Sequence, residues 1–153
     1  YGKVAYPKKH TPAQIPSLYR WAASRGGLFV NPALVEPFGL TLLEASSCGL
    51  PIVSTDDGGP KEIQSKCKNG LLVDVNDINK LKAFLEKGIA NSSEWKLWSR
   101  NGIEGVHRHF SWDTHVRSYL ATLTNKYQTS SISSSSVIKQ SCLKGSSSLI
   151  KPH

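Results

Sequence analysis

Asn31-Pro-Ala-Leu-Val-Glu36-Pro-Phe-Gly39-Leu-Thr-Leu-Leu-Glu44-Ala45 follows the apolar run Leu28-Phe29-Val30 and turns through two prolines before a helical pattern begins at Gly39. The run is short and apolar and is closed by Asn31-Pro32, which marks a buried strand. The helix that follows extends from about Gly39 to Ser47 and stops at Gly49. The same alternation continues on either side. Upstream, Gly2-Lys3-Val4-Ala5-Tyr6 is a strand stopped by Pro7, and Pro12 to Ser24 is a helix ended by Gly26-Gly27. Thr11 is its N-cap, Pro12 takes its first position, and Ile15, Leu18, Tyr19 and Ala22 share one face. Downstream come the strand Pro51-Ile52-Val53-Ser54, a short helix Lys61 to Ser65 opened by Gly58-Gly59-Pro60, and the strand Leu71-Leu72-Val73 after Gly70. Asp77 caps a helix to about Ile89, Ser93 caps another to about Val106, and a last helix runs from Ser111-Trp112 to about Lys126.

Short apolar strands alternating with helices specify an α/β fold: a Rossmann-like parallel sheet with helices on both faces. Ligands of such sheets bind outside the carboxyl ends of the strands. Those ends are Tyr6-Pro7, Asn31-Pro32, Ser54-Thr55 and Val73-Asp74.

Composition bounds what the domain can be. The chain has 153 residues, 39% of them hydrophobic, which suits one domain. Residues 1–127 are that domain. Gln128 to His153 holds ten serines and no acidic or aromatic residue. It reads as a Ser-rich disordered tail or linker, with too little apolar surface to offset its ordering entropy. The chain starts on Tyr and has no Met, so it reads as a fragment of a longer protein. No run of about 18 apolar residues exists for a membrane span, and the N-terminus lacks a leader pattern. Cys48, Cys67 and Cys142 are odd in number and lack paired spacing, so they form neither a disulfide framework nor a zinc site. A reducing, cytoplasmic setting is expected. The net charge of +8 divides into +5 for residues 1–127 and +3 for Lys139, Lys144 and Lys151 of the tail. No basic cluster with interleaved aromatics points to nucleic acid. The balance equally suits a groove for anionic small molecules.

The chemistry concentrates at the turn into the Gly39 helix. The first N–H groups of a helix have no internal partner, and with the helix dipole they form an anion site. Gly39 carries no side chain, so a ligand can approach the backbone there. Glu44 shares a helix face with Leu40 and Thr41. A carboxylate beside a diphosphate is repelled unless it accepts hydrogen bonds from ligand hydroxyls, such as a ribose diol. Glu36 precedes the helix, where a sugar attached to that diphosphate would lie. Taken alone, either glutamate reads as a solvated side chain, and Gly39 as a cap. The pair, with seven residues between them in a Glu-Pro-Phe-Gly frame at a strand-to-helix turn, points to a ligand.

Glu36 and Glu44 resemble the paired glutamates of retaining glycosyltransferases with the GT-B fold, and residues 1–125 are similar to the C-terminal, donor-binding half of that fold. Further stretches carry the resemblance: residues 1–10, Gly-Leu-Pro-Ile-Val at 49–53, Asp-Gly-Gly-Pro at 57–60, Asn-Gly-Leu-Leu-Val-Asp at 69–74 and Phe-Ser-Trp at 110–112. Asn-Pro-Ala and Ala-Tyr-Pro-Lys resemble the sucrose-phosphate and sucrose synthase branch, more closely the sucrose-phosphate synthases. The resemblance implies transfer of glucose from UDP-glucose to fructose 6-phosphate with retention. It implies that Glu36 contacts the hexose, that amides around Phe38, Gly39, Leu40 and Thr41 hold glucose and diphosphate, and that Glu44 binds the ribose. Val4 to Tyr6 would lie near the uracil. It implies no cofactor, no metal at the donor site and no protein nucleophile. The cationic diphosphate clamp and the acceptor site would belong to sequence preceding Tyr1, so this half alone is expected to be inactive.

Rival readings are sucrose synthase or another retaining hexosyltransferase, a non-catalytic nucleotide-sugar-binding module, and a plain dinucleotide binder. The last is disfavoured because no G-x-G-x-x-G follows the first strand. Gly58-Gly59 reads as turn geometry and packing rather than ligand contact. His10, His107, His109 and His115 read as surface residues. Trp21, Trp95, Trp98 and Trp112 read as core or domain-packing aromatics.

Overall fold

A computed structural model describes residues 9–126. The strand expected over residues 2–6 and the Ser-rich segment from Gln128 lie outside the described residues. The chain divides after Ser111 into two units.

In the first unit a single turn, Pro12–Gln14, runs into α1, Ile15–Ser24. Thr11 caps the turn, and its N–H donates to Gln14 Oε1 at 2.9 Å. Gly26 has φ +71°, a conformation that favours glycine, and it releases the chain from α1. β1 (Phe29–Asn31), α2 (Leu40–Ser47), β2 (Ile52–Thr55), α3 (Pro60–Cys67) and β3 (Gly70–Val73) then alternate. The strands form one parallel sheet in the order β1-β2-β3, with Phe29 beside Ile52, Asn31 beside Ser54, and Thr55 beside Val73. All three carboxyl ends therefore lie along one edge.

α4 (Ile78–Ala90) is capped by Asp77, whose side chain accepts from Lys80 N–H at 2.9 Å. α5 is longer than the sequence pattern suggested: it spans Ser92–Phe110 and is capped by Asn91, not Ser93. Asn91 Oδ1 accepts from Glu94 N–H at 3.1 Å. Ser93 and Asn91 are both good caps, but the backbone is extended at Asn91 and already helical at Ser92. The helix then passes Val106 unbroken, because nothing before Ser111 interrupts it. In the second unit, residues 112–126 are helical as expected.

All four side chains of the central strand β2 are buried. Since strand side chains alternate, both sheet faces are covered, and the polar Ser54 and Thr55 are buried along with Ile52 and Val53. The core gathers Leu42, Leu43, Ile52, Ile63 and Cys67, with Phe29, Val106 and Phe110 packed against it. α5 packs on α2 and α3, while α4 packs on β3. Trp98 is buried, and Trp95 is half-buried with its indole N–H donating to Gly27 O at 2.9 Å. Of the two alternatives the sequence offers for Trp21 and Trp112, core or domain packing, the core one fails. They are 60% and 82% exposed and belong to no core among the described residues. The apolar face of α1 is Ile15, Tyr19, Ala22 and Ala23; Leu18 sits off it, at 42% exposure.

Candidate functional site

The site is built by two loops that continue the β1–β2 pairing beyond the sheet. After β1, residues 32–39 run alongside residues 56–59, which follow β2. Glu36 N–H donates to Asp57 O at 3.3 Å, and Gly59 N–H donates to Glu36 O at 2.8 Å. Thr55 Oγ1 donates to Leu34 O at 3.2 Å. A parallel bridge joins Glu36 to Gly58. The loop carrying Glu36 is thus backed by main-chain bonds rather than suspended from its ends.

Gly58 and Gly59 make this approach possible. Gly58 has φ +91°, and a Cβ there would overlap the Glu36 carbonyl. A Cβ on Gly59 would lie 2.6 Å from the Phe38 carbonyl carbon. Their packing role, expected from sequence, is therefore specific: they let one site loop lie against the other.

The Glu36 carboxylate is half-buried and held at both oxygens. Oε2 accepts from Asn31 Nδ2 at 2.9 Å and Oε1 from Gly39 N–H at 3.0 Å. Asn31 Oδ1 in turn accepts from Ala33 N–H at 3.1 Å. Gly39 is the N-cap of α2 with φ +93°, and a Cβ would press on Leu42 and Ile63. Gly39 is thus required by conformation and packing as well as by any ligand. Its amide is engaged by Glu36. Leu40 and Thr41, next in the helix, are exposed, and their N–H groups have no intrahelical acceptor. Phe38 is also exposed, at 52%.

Glu44 lies on the exposed face of α2 with Leu40, Thr41 and Ser47, while Leu42, Leu43, Ala45 and Ser46 face the core. It opens into a cleft of about 500 Å³ between α2 and α1, lined also by His10, Ile15, Tyr19, Arg20 and Cys48. Burial raises the Tyr19 hydroxyl above its ordinary pKa, and the nearby Glu44 carboxylate pushes it further the same way. Tyr19 also packs edge-to-face on Phe29, ring centroids 5.5 Å apart. This aromatic stack fixes the cleft wall to the sheet.

The fold therefore brings all six sequence-proposed positions, Glu36, Phe38, Gly39, Leu40, Thr41 and Glu44, to one strand-to-helix junction. Val4 to Tyr6 lie outside the described residues. Sequence reasoning overlooked Asn31 as the partner of Glu36, and Tyr19, Arg20 and His10 as neighbours of Glu44. A signal for Asn31 existed: an amide side chain at the last strand position, followed by Pro, forms an Asx turn. His107, His109 and His115 are exposed, as expected. Among the described residues no group of His, Cys, Asp and Glu could hold a metal ion, and no helix is long and apolar enough to cross a membrane.

Known proteins share this chain's sequence and fold. Sucrose-phosphate synthase 4 of Arabidopsis thaliana is 49% identical over 135 residues, 86% of this chain and 13% of its own length. The sucrose-phosphate synthase of Zea mays is 51% identical over 120 residues, 78% of this chain and 11% of its own. The chain thus spans about an eighth of the relatives it matches. The solved structure of a sucrose-phosphate synthase from Thermosynechococcus elongatus superposes with a TM-score of 0.57 at 23% identity, covering 82% of this chain and 37% of that one. At that identity the likeness establishes the fold alone: an α/β parallel sheet with helices that matches part of a GT-B glycosyltransferase. The family model described as glycosyl transferases group 1 matches residues 3–105, from before α1 into α5 and across both glutamates, and the chain belongs to that family.

Proposed function

We propose that this chain is the donor-binding part of an enzyme that moves glucose from UDP-glucose to fructose 6-phosphate, giving sucrose 6-phosphate. The observation that carries this reading is the placement of two glutamates about the open start of α2: Glu36 fixed before it, Glu44 exposed one turn in and facing a cleft. The relatives are named sucrose-phosphate synthases, which supports a sucrose phosphate as the product.

The geometry suits the chemistry. Cleaving the bond between glucose and diphosphate leaves charge on the departing phosphate. The outward amides of Leu40 and Thr41 and the dipole of α2 meet that charge without reorganising. Glu36 takes hydroxyls of the hexose. Glu44 accepts from the ribose diol, with Tyr19 and Ile15 forming an apolar wall beside it. Nucleotide binding at Glu44 thereby serves to place the anomeric carbon at the helix start. A departing phosphate oxygen can take the acceptor's proton, so neither a protein nucleophile nor a cofactor or donor-site metal is invoked. The enzyme works in the cytoplasm. The rest of the same polypeptide supplies the acceptor site and the cationic clamp. Sucrose synthase, with free fructose as acceptor, is the second reading, since none of these residues faces the acceptor.

The test is made in the full-length enzyme. Glu44→Gln keeps the shape but loses the charge that strengthens its hydrogen bonds, so UDP and UDP-glucose should both bind more weakly, by about 1–3 kcal/mol. Glu36→Gln should leave UDP affinity nearly unchanged while turnover falls. Calorimetric titration of UDP, paired with a glucose-transfer assay, separates the two. Equal loss of UDP affinity in both variants refutes the division of roles.

A further inference from the structure

We propose that Asn31 is a positioning residue: its amide locks the Glu36 carboxylate in the orientation the hexose site needs. The inference rests on the reading of Glu36 as the hexose contact. Asn31 ends β1 beside Ser54 of the central strand, so its backbone is fixed by the sheet. Its two side-chain atoms do different things. Oδ1 accepts from Ala33 N–H at 3.1 Å and shapes the turn into Pro32. Nδ2 donates to Glu36 Oε2 at 2.9 Å and shapes nothing in the backbone. With Oε1 held by Gly39 N–H at 3.0 Å, the carboxylate is gripped from the sheet on one side and the helix on the other. A carboxylate held at one oxygen only can swing about its side-chain torsions. Held at both, it presents its remaining lone pairs in one direction.

The separation of the two atoms supplies the test. Asn31→Asp keeps the acceptor for Ala33 N–H but replaces the donor with a second carboxylate facing Glu36. A residue that only shapes the turn tolerates this change and suffers more from Asn31→Ala. A residue that positions Glu36 is harmed at least as much by Asp as by Ala, because like charges repel as well as losing the bond.

In the full-length enzyme, Asn31→Asp should lower kcat for glucose transfer by about 10–100-fold, the scale of a misplaced reacting group. KM for UDP-glucose and the Kd of UDP should shift far less. The double variant N31D/E36Q restores a donor–acceptor pair with its polarity reversed, so its thermal midpoint should recover relative to N31D alone. Wild-type kcat in N31D overturns the proposal, as does a loss confined to N31A. If N31D does not fold, the double variant decides: a folded double variant supports the contact, and an unfolded one overturns it. A wild-type enzyme that fails to transfer glucose from UDP-glucose defeats the functional reading instead, while the recovery of the midpoint still reports on the Asn31–Glu36 contact.

Discussion

Replacing Gly58 with alanine should strike the site from behind, and the structure separates the cost into parts. At φ +91° an L-residue is strained by about 1–2 kcal/mol. The new Cβ would also lie 2.9 Å from the Glu36 carbonyl carbon and closer still to its oxygen. That neighbour is backbone stitched by the Gly59 N–H bond, not a side-chain end that can turn aside. Overpacking of this kind costs about 1–3 kcal/mol. The expected destabilisation is therefore about 2–5 kcal/mol. Two companions isolate the parts. Gly26 has φ +71° with open space where a Cβ would stand, so Gly26→Ala should show the backbone part alone, about 1–2 kcal/mol. Gly59 has φ −57° and meets Phe38, so Gly59→Ala should show the steric part alone, about 1–3 kcal/mol. Urea unfolding of the three variants, compared at constant m, gives the differences. Glucose transfer by the full-length enzyme should fall in Gly58→Ala and Gly59→Ala, which displace the Glu36 loop, and hold in Gly26→Ala. If Gly58→Ala costs no more than Gly26→Ala, the loop is not pressed against Gly58 and the reasoning fails.

Cys67, in the core beneath α5, has its thiol pushed up by burial from 9.0 to about 11. The folded state then keeps its proton where the unfolded chain releases it, so the contribution is complete below about pH 9 and is lost as pH rises toward 11. The stability difference between wild type and Cys67→Ala should narrow over that window; a difference that stays constant would contradict the burial account. Asn69 is fully buried, donates to Ser46 Oγ at 2.6 Å and takes Gln64 Oε1 on its main-chain N–H at 3.2 Å. Asn69→Ala should cost about 1–3 kcal/mol in denaturant unfolding. A neutral result would mean the buried amide contributes no net stabilisation.

What was legible in the sequence follows from the range of the forces involved. β2 could be read because Pro51 to Val53 is uniformly apolar and is followed by the small Ser54, and α4 because Asp77 is a cap with a helical pattern behind it. These are local signals. The start of α5 was misplaced because Asn91, Ser92 and Ser93 can all cap, and only the extended backbone at Asn91 decides among them. Whether Trp21 and Trp112 join the core could not be read, because aromatic bulk predicts burial on average but not for a given face. The Gly58-Gly59 turn could be located, but not its reason. The contact with Glu36 and Phe38 joins residues some twenty positions apart, and no spacing rule encodes it. Asn31 escaped notice for the related reason that its Asx turn is local and familiar, while its second bond reaches across the loop.

The two glutamates end up in opposite physical states, and the difference matches the work proposed for each. Glu36 is half-buried, bonded at both oxygens, and carried on a loop laced to the neighbouring strand's loop. Glu44 is exposed on a helix face, with an open cleft beside it. A group that acts near the reacting carbon gains from being fixed before the substrate arrives, since small displacements there are costly in rate. A group that holds the ribose diol, on the far side of the diphosphate from the reacting carbon, contributes affinity, and some side-chain freedom there costs little. Were the roles reversed, the rigid scaffold of Asn31, Gly39, Gly58 and Gly59 would stabilise the remote contact and leave the reacting end loose. The sequence places both glutamates at one junction; the loop behind Glu36 is what distinguishes them.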